Sequence, residues 1–150
     1  MKIIVITLIV MITLVGCGAS ETQEMTSLLE PVLTIINGDN QQTYTVKDLQ
    51  TLTSTVSSFE GIDYKGVSVR YLLEEAGVNL NEISAIKAVA TDGYSVNYEP
   101  AQLLPDDVLV AYSLADGSSM DSNEGRFRMI LPDKEGNQNL RLLYKLVIVP

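Results

Sequence analysis

The chain has 150 residues, a net charge of −9 and no histidine. Without histidine it lacks the usual general base and the commonest metal ligand, which excludes Ser-His-Asp hydrolysis, zinc-protease chemistry and histidine-ligated haem within the chain. Its acidity opposes phosphate backbones, so nucleic acid is not an expected partner.

Lys2 precedes an apolar run from Ile3 to Val15, closed by Leu14-Val15-Gly16-Cys17. A positive start, an apolar core of about 7–15 residues and a small residue at the cleavage site describe a secretion signal. The run is too short for a membrane span, which needs about 20 apolar residues. Leu-Val-Gly-Cys is the combination that bacterial lipoprotein processing prefers. Residues 1–16 are therefore expected to be a lipoprotein signal peptide, with Cys17 as the lipid attachment site. Cys17 is the chain's single cysteine, so no disulfide can form within it. The address implied is the extracytoplasmic face of the cell membrane, held by lipid such as palmitate. Residues 17–30 read as anchor and flexible tether, reaching on the order of 20 Å. Residues 31–150 are long enough for one domain with its own core.

Val32 to Ile36 reads as an apolar strand ended by the turn cluster Asn37 to Asn40. Tyr44 to Val46 is a short strand or the start of a helix, and Lys47 to Leu52 make one or two helical turns. Thr53 to Phe59, rich in Thr, Ser and Val, reads as a strand, and Gly61 to Gly66 as a turn or hairpin segment. Ser68 caps a helix that presents Val69, Leu72, Leu73 and Ala76 on one face and stops at Gly77. Ile83 to Ala90 alternates as a strand, and Asp92-Gly93 turns it into a second strand, Tyr94 to Tyr98. Glu99 to Leu104 is a short helix or turn. Val108 to Tyr112 is a buried-type strand. Ala115 to Gly125 is a polar loop, Phe127 to Leu131 a strand ended by Pro132, and Asp133 to Asn139 another loop. Leu140 to Tyr144 is a short turn before the closing strand, Lys145 to Val149. Many strands with one clear helix predict an α+β domain.

These segments, in this order, resemble the sulfite-oxidase-type molybdopterin-binding domain. Tyr64-Lys65-Gly66-Val67-Ser68-Val69, followed by Leu72-Leu73, is similar to that family's glycine-valine-x-leucine segment. Ala90-Thr91-Asp92-Gly93-Tyr94 is similar to its alanine-x-aspartate-glycine-tyrosine hairpin. Gly125 to Pro132 resembles its glycine, arginine and proline strand, and Tyr144 to Val149 its closing strand. The resemblance covers residues 32–150. It implies a mixed β-sheet sandwich or barrel-like α+β domain with few short helices. The family's enzymes hold molybdenum through a cysteine thiolate located before the glycine-valine-x-leucine helix. The corresponding stretch here, Thr51 to Phe59, offers Ser54, Ser57 and Ser58 instead. A hydroxyl is a poor substitute for a soft thiolate. No cofactor is therefore expected, molybdopterin entering by family resemblance alone, and no catalytic residue or protein-held metal is assigned.

Arg126 and Arg128, two apart, share a face if both lie on one strand, and a paired arginine face suits a carboxylate or phosphate. Arg128 matches the family's cofactor-facing arginine best. Plain surface arginines balancing an acidic chain are the simpler reading. Asp92 and Tyr94 are the other candidate ligand-binding residues, against a plain hairpin turn. Asp116, Asp121, Asn123 and Glu124 carry oxygen ligands for calcium but miss the EF-hand spacing, leaving a solvated acidic loop. The tyrosines either stack on a planar ligand or serve as half-buried core. The expected function is a non-catalytic module of a membrane-anchored lipoprotein, binding a small anionic ligand or a membrane redox protein. A genuine molybdopterin oxidoreductase subunit and a structural envelope lipoprotein are the alternatives.

Overall fold

A computed structural model describes residues 30–150. The signal, Cys17 and the tether expected at residues 1–29 lie outside the described residues. Pro31–Pro150 form one compact unit.

Among the described residues nine strands build two sheets: β1 (Leu33–Asn37), β2 (Asn40–Tyr44), β3 (Thr55–Phe59), β4 (Ile62–Ser68), β5 (Ala85–Ala90), β6 (Ser95–Tyr98), β7 (Leu109–Leu114), β8 (Arg128–Ile130) and β9 (Leu143–Val149). The larger sheet runs β2-β1-β9-β5-β6 and the smaller β3-β4-β7-β8. Only the β1–β9 pair is parallel. It joins the first and last strands of the domain, so both ends of the described chain meet in the middle of one sheet. The helices are short: α1 (Val46–Thr51), α2 (Val69–Glu75) and α3 (Pro100–Leu103).

One apolar core takes side chains from both sheets. Leu33, Ile35, Ile86, Ala88, Leu146 and Ile148 of the larger sheet cluster with Val67, Val110, Tyr112 and Met129 of the smaller, together with Leu72 and Leu73 of α2. This is the α+β sandwich expected. The smaller sheet is also covered on its other face, where Phe59, Tyr64, Leu109, Ala111 and Ile130 form a second cluster with Leu114 and Met120. A strand buried on both sides reads as a continuous apolar run rather than an alternating one. Leu109 to Tyr112 has that form, with Val110 and Tyr112 in the main core and Leu109 and Ala111 in the second.

Local chemistry explains the boundaries. Thr45 and Asp48 close a reciprocal capping box that starts α1, the Asp48 carboxylate accepting the Thr45 amide at 2.8 Å. Ser68 Oγ accepts the Tyr71 amide at 3.2 Å and starts α2. Two expectations change. Asn40–Tyr44 is a full strand, missed because an edge strand with exposed Asn40, Gln41, Gln42 and Thr43 carries no apolar alternation. Of the turn or hairpin segment expected at Gly61 to Gly66, the hairpin is what forms, with Ile62–Ser68 as a full strand, β4. The turn is confined to Glu60-Gly61, both at positive φ (52° and 78°), between the paired residues Phe59 and Ile62. Two central residues at positive φ make a type I′ hairpin turn. Gly66 sits at a register shift between β4 and β7, where a Cβ would lie 2.0 Å from the Val110 carbonyl oxygen. Only glycine permits that approach.

Candidate functional site

β8 is shorter than its apolar pattern, and this separates the two arginines. Arg126 precedes the strand and is exposed, while Arg128 opens it and is 2% exposed. The expected shared face does not exist, because the chain is still in a bend at Arg126 when it passes the strand's edge.

Arg128 lies on the outer face of the smaller sheet, paired through β8 with Ala111 of β7. Its guanidinium stands 5.2 Å from the Phe59 ring centre and 5.1 Å from that of Tyr64. One guanidinium nitrogen donates to the Tyr64 hydroxyl at 2.8 Å and to Glu124 Oε1, with which Arg128 forms an ion pair. The Tyr64 hydroxyl in turn donates to Glu124 Oε1 at 2.7 Å. Glu124 Oε2 accepts the Asp121 amide at 3.1 Å, which ties the polar loop over the sheet. Arg128 Nε is the one guanidinium nitrogen that is fully buried without a partner among the described residues.

The electrostatics follow from this closure. Burial raises the Glu124 carboxyl, but the Tyr64 hydroxyl, the Asp121 amide and the Arg128 cation outweigh it and hold the group below its ordinary range. Burial and the bond to Glu124 push the Tyr64 phenol up to about 12, with Arg128 pulling the other way. Glu124 is therefore a carboxylate and Tyr64 a neutral donor across the physiological range. Tyr64 entered the sequence reading in the glycine-valine-x-leucine segment and as one tyrosine among several, and Glu124 as a loop carboxylate. Residues sixty positions apart leave no spacing signal of their pairing.

Asp92 and Tyr94 lie elsewhere. The β5–β6 turn puts them on the rim of a groove of about 310 Å³, whose other walls include Gly136, Asn137 and Arg141. The Asp92 carboxylate accepts the Tyr94 amide at 2.9 Å, so it shapes its own turn. Tyr94 is 51% exposed. The opposite wall is a loop held from within by Asn139. Its amide group accepts the Leu131 amide at 2.7 Å and donates to the carbonyls of Leu131, Lys134 and Glu135, each at 3.2 Å. The buried Tyr98 hydroxyl anchors the same loop, donating to the Gln138 carbonyl at 2.5 Å. A Cβ on Gly136 would lie 4.0 Å from Phe59 Cζ and 3.8 Å from Glu60 Oε1. The wall at Gly136 thus faces the β3–β4 turn, whose Phe59 also stands against Arg128.

Arg141, which the sequence reading did not single out, is the cation of this groove. Nothing in the segment Leu140 to Leu143 marks it, since its neighbours in the groove, Asp92, Tyr94 and Asn137, come from other parts of the chain. Arg126 lines a separate groove with Thr91 and Leu142. The candidate residues therefore fall into three places: Arg128 inside, Asp92 and Tyr94 on one groove, Arg126 on another. The acidic loop is not arranged for a cation. Asp116 bonds to the Ser118 hydroxyl at 2.6 Å, and Glu124 turns inward. Among the described residues no group of three or more potential ligands could hold a metal ion.

Comparison with solved structures supports the fold. The crystal structure of the sulfane dehydrogenase SoxCD from Paracoccus pantotrophus is similar with a TM-score of 0.66 at 21% identity, covering 79% of this chain. The chain spans 38% of that protein's length. No curated protein sequence matches it. The model of the oxidoreductase molybdopterin-binding domain matches residues 30–150, which is the whole described unit. The chain belongs to the oxidoreductase molybdopterin-binding domain family.

Proposed function

We propose that this chain is a membrane-anchored, extracytoplasmic member of its family that works without the molybdenum cofactor, as a module that captures a small anionic ligand. The supporting observation is the fate of the residues toward which a cofactor would be directed. The arginine that matches the family's cofactor-facing position is closed into the Glu124–Arg128–Tyr64 cluster and flanked by Phe59.

The donor chemistry points the same way. Residues 30–150 contain no cysteine. In the stretch where the family resemblance places the thiolate, Ser57 is 6% exposed and opposes Tyr64 across the β3–β4 pair. The Ser58 hydroxyl is occupied by Asp63. A hydroxyl lacks the softness this metal takes from a thiolate. The turn that follows has two residues, so no loop is available there to enclose a large pterin. The residues present do not fit the group, and no reaction step is assigned to it.

One groove open to solvent is that of Asp92, Tyr94, Asn137 and Arg141. Arg141 forms no ion pair among the described residues, in a chain of net charge −9. The Arg141 guanidinium, the Asn137 amide and the Tyr94 phenol that line this groove are donors suited to an oxyanion, while the Asp92 carboxylate is engaged by the Tyr94 amide. The anchor on Cys17 would keep this groove near the membrane and supply ligand to, or share it with, a membrane protein.

The test is elemental analysis for molybdenum, with a fluorescence assay for pterin, on the full chain purified from its native membrane. Neither is expected at more than trace stoichiometry. One molybdenum per chain would overturn the reading and make the protein an oxidoreductase.

A further inference from the structure

The groove beside Arg126 is distinct from the one just discussed. Its volume is about 330 Å³. Its walls come from Val32 at the start of the domain, Phe127 before β8, Leu142, and Tyr144 on β9, with Thr91 and Arg126 as its polar members. Val32 is 36% exposed and Tyr144 half-buried, so apolar surface faces solvent here. Arg126 is the sole formal charge among the lining residues and forms no ion pair among the described residues. The backbone beneath is rigid: Leu142 donates its amide to the Glu124 carbonyl at 2.7 Å and accepts the Thr91 amide at 2.9 Å. Leu142 also holds a left-handed φ of 54°, unusual for a bulky residue. Strained backbone of this kind persists where surrounding structure over-determines it, and it clusters at binding sites.

An apolar trough with one unpaired guanidinium selects by two criteria at once. A bare inorganic anion finds charge but leaves the apolar wall wet. A neutral apolar molecule covers the wall but leaves the cation unanswered. We propose that this groove binds an amphipathic monoanion, a carboxylate on a short apolar chain or ring, with the carboxylate on Arg126 and the apolar part along Val32, Leu142 and Tyr144. The inference stands on Arg126 and does not depend on the Arg141 groove.

The test is calorimetric titration of the full chain, in nanodiscs of phosphatidylcholine, with hexanoate, and in parallel with hexanol and inorganic sulfate. Empty nanodiscs measure partitioning. Saturable one-to-one hexanoate binding is expected, with hexanol and sulfate at least tenfold weaker. Arg126→Gln should weaken hexanoate at least tenfold without changing the melting temperature, and Lys47→Gln, an exposed cation that lines neither groove, should leave it unchanged. Absence of saturable binding, hexanoate binding that survives Arg126→Gln, or sulfate held as tightly as hexanoate and lost with Arg126→Gln would each overturn the proposal. The molybdenum analysis is unaffected by any of these results.

Discussion

Glu124 is the residue on which the interior polar cluster depends. A buried ion pair adds little net stability over an apolar pair, but breaking one partner leaves an uncompensated charge. Glu124→Gln should therefore lower the unfolding free energy by about 3–5 kcal/mol, read from urea denaturation at neutral pH. The same residue gives a pH signature. Its folded pKa is lowered, so its contribution is complete above the unfolded value of about 4.3 and is lost as pH falls through the folded value. Stability of the parent should fall with acidification from about pH 4.3 downward, and the Gln variant should show a shallower acid limb. A parallel acid limb would remove Glu124 from the account. Gly66 belongs at this scale too. Gly66→Ala would drive a methyl into the Val110 carbonyl, which is backbone and cannot move aside. A loss of about 3 kcal/mol or more is expected in thermal unfolding. Cys17→Ser should abolish incorporation of labelled palmitate and release the chain from the membrane fraction.

Among the elements, the β3–β4 hairpin decides most. A two-residue turn with both φ angles positive suits Asn-Gly, and non-glycine residues other than Asn and Asp bear a cost of about 1–2 kcal/mol there. Glu60→Asn should stabilise the domain by up to about 1 kcal/mol, and Gly61→Ala should destabilise it by about 1–2 kcal/mol. Both are measurable as shifts in the denaturation midpoint. A Glu60→Asn variant that destabilised the fold would mean that the Glu60 side chain is needed against Gly136, which it approaches in the structure. The hairpin also shows why part of the site was not legible. Ser57 and Ser58 are visible in the sequence as the absence of a cysteine. That Phe59 stacks on Arg128 is not visible, because the contact joins β3 to β8, which are not neighbours in the sheet.

Across the whole molecule, the two-sided burial of the smaller sheet separates a closed interior from open grooves. The main core makes the sandwich, while the second cluster and the acidic loop seal the face on which Arg128 lies. On the reading proposed above, this molecule holds no cofactor as a structural filler. Its cooperative unfolding midpoint should be the same after expression in hosts with and without molybdopterin synthesis. A cofactor-dependent rise in the midpoint would be the expected mass-action signature of a bound group and would contradict that view.

Local chemistry is enough to read much of this chain. The cap at Ser68, the Asp92-Gly93 turn and the buried run Val108 to Tyr112 each carry their meaning within a few residues. The order of these segments carries the family resemblance and the α+β sandwich. Pairing across the sheet is different, because it is set by register and burial rather than by neighbours in sequence. It sends Arg128 inward and Arg126 outward although they are two residues apart, since β8 begins between them. It also brings Tyr64 and Glu124 together across sixty residues. The sequence alone determined which chemical groups the domain possesses, because composition is independent of conformation. Only the tertiary structure decided which of those groups meet solvent and which satisfy one another, because desolvation and hydrogen bonding depend on what the fold places within a few ångströms.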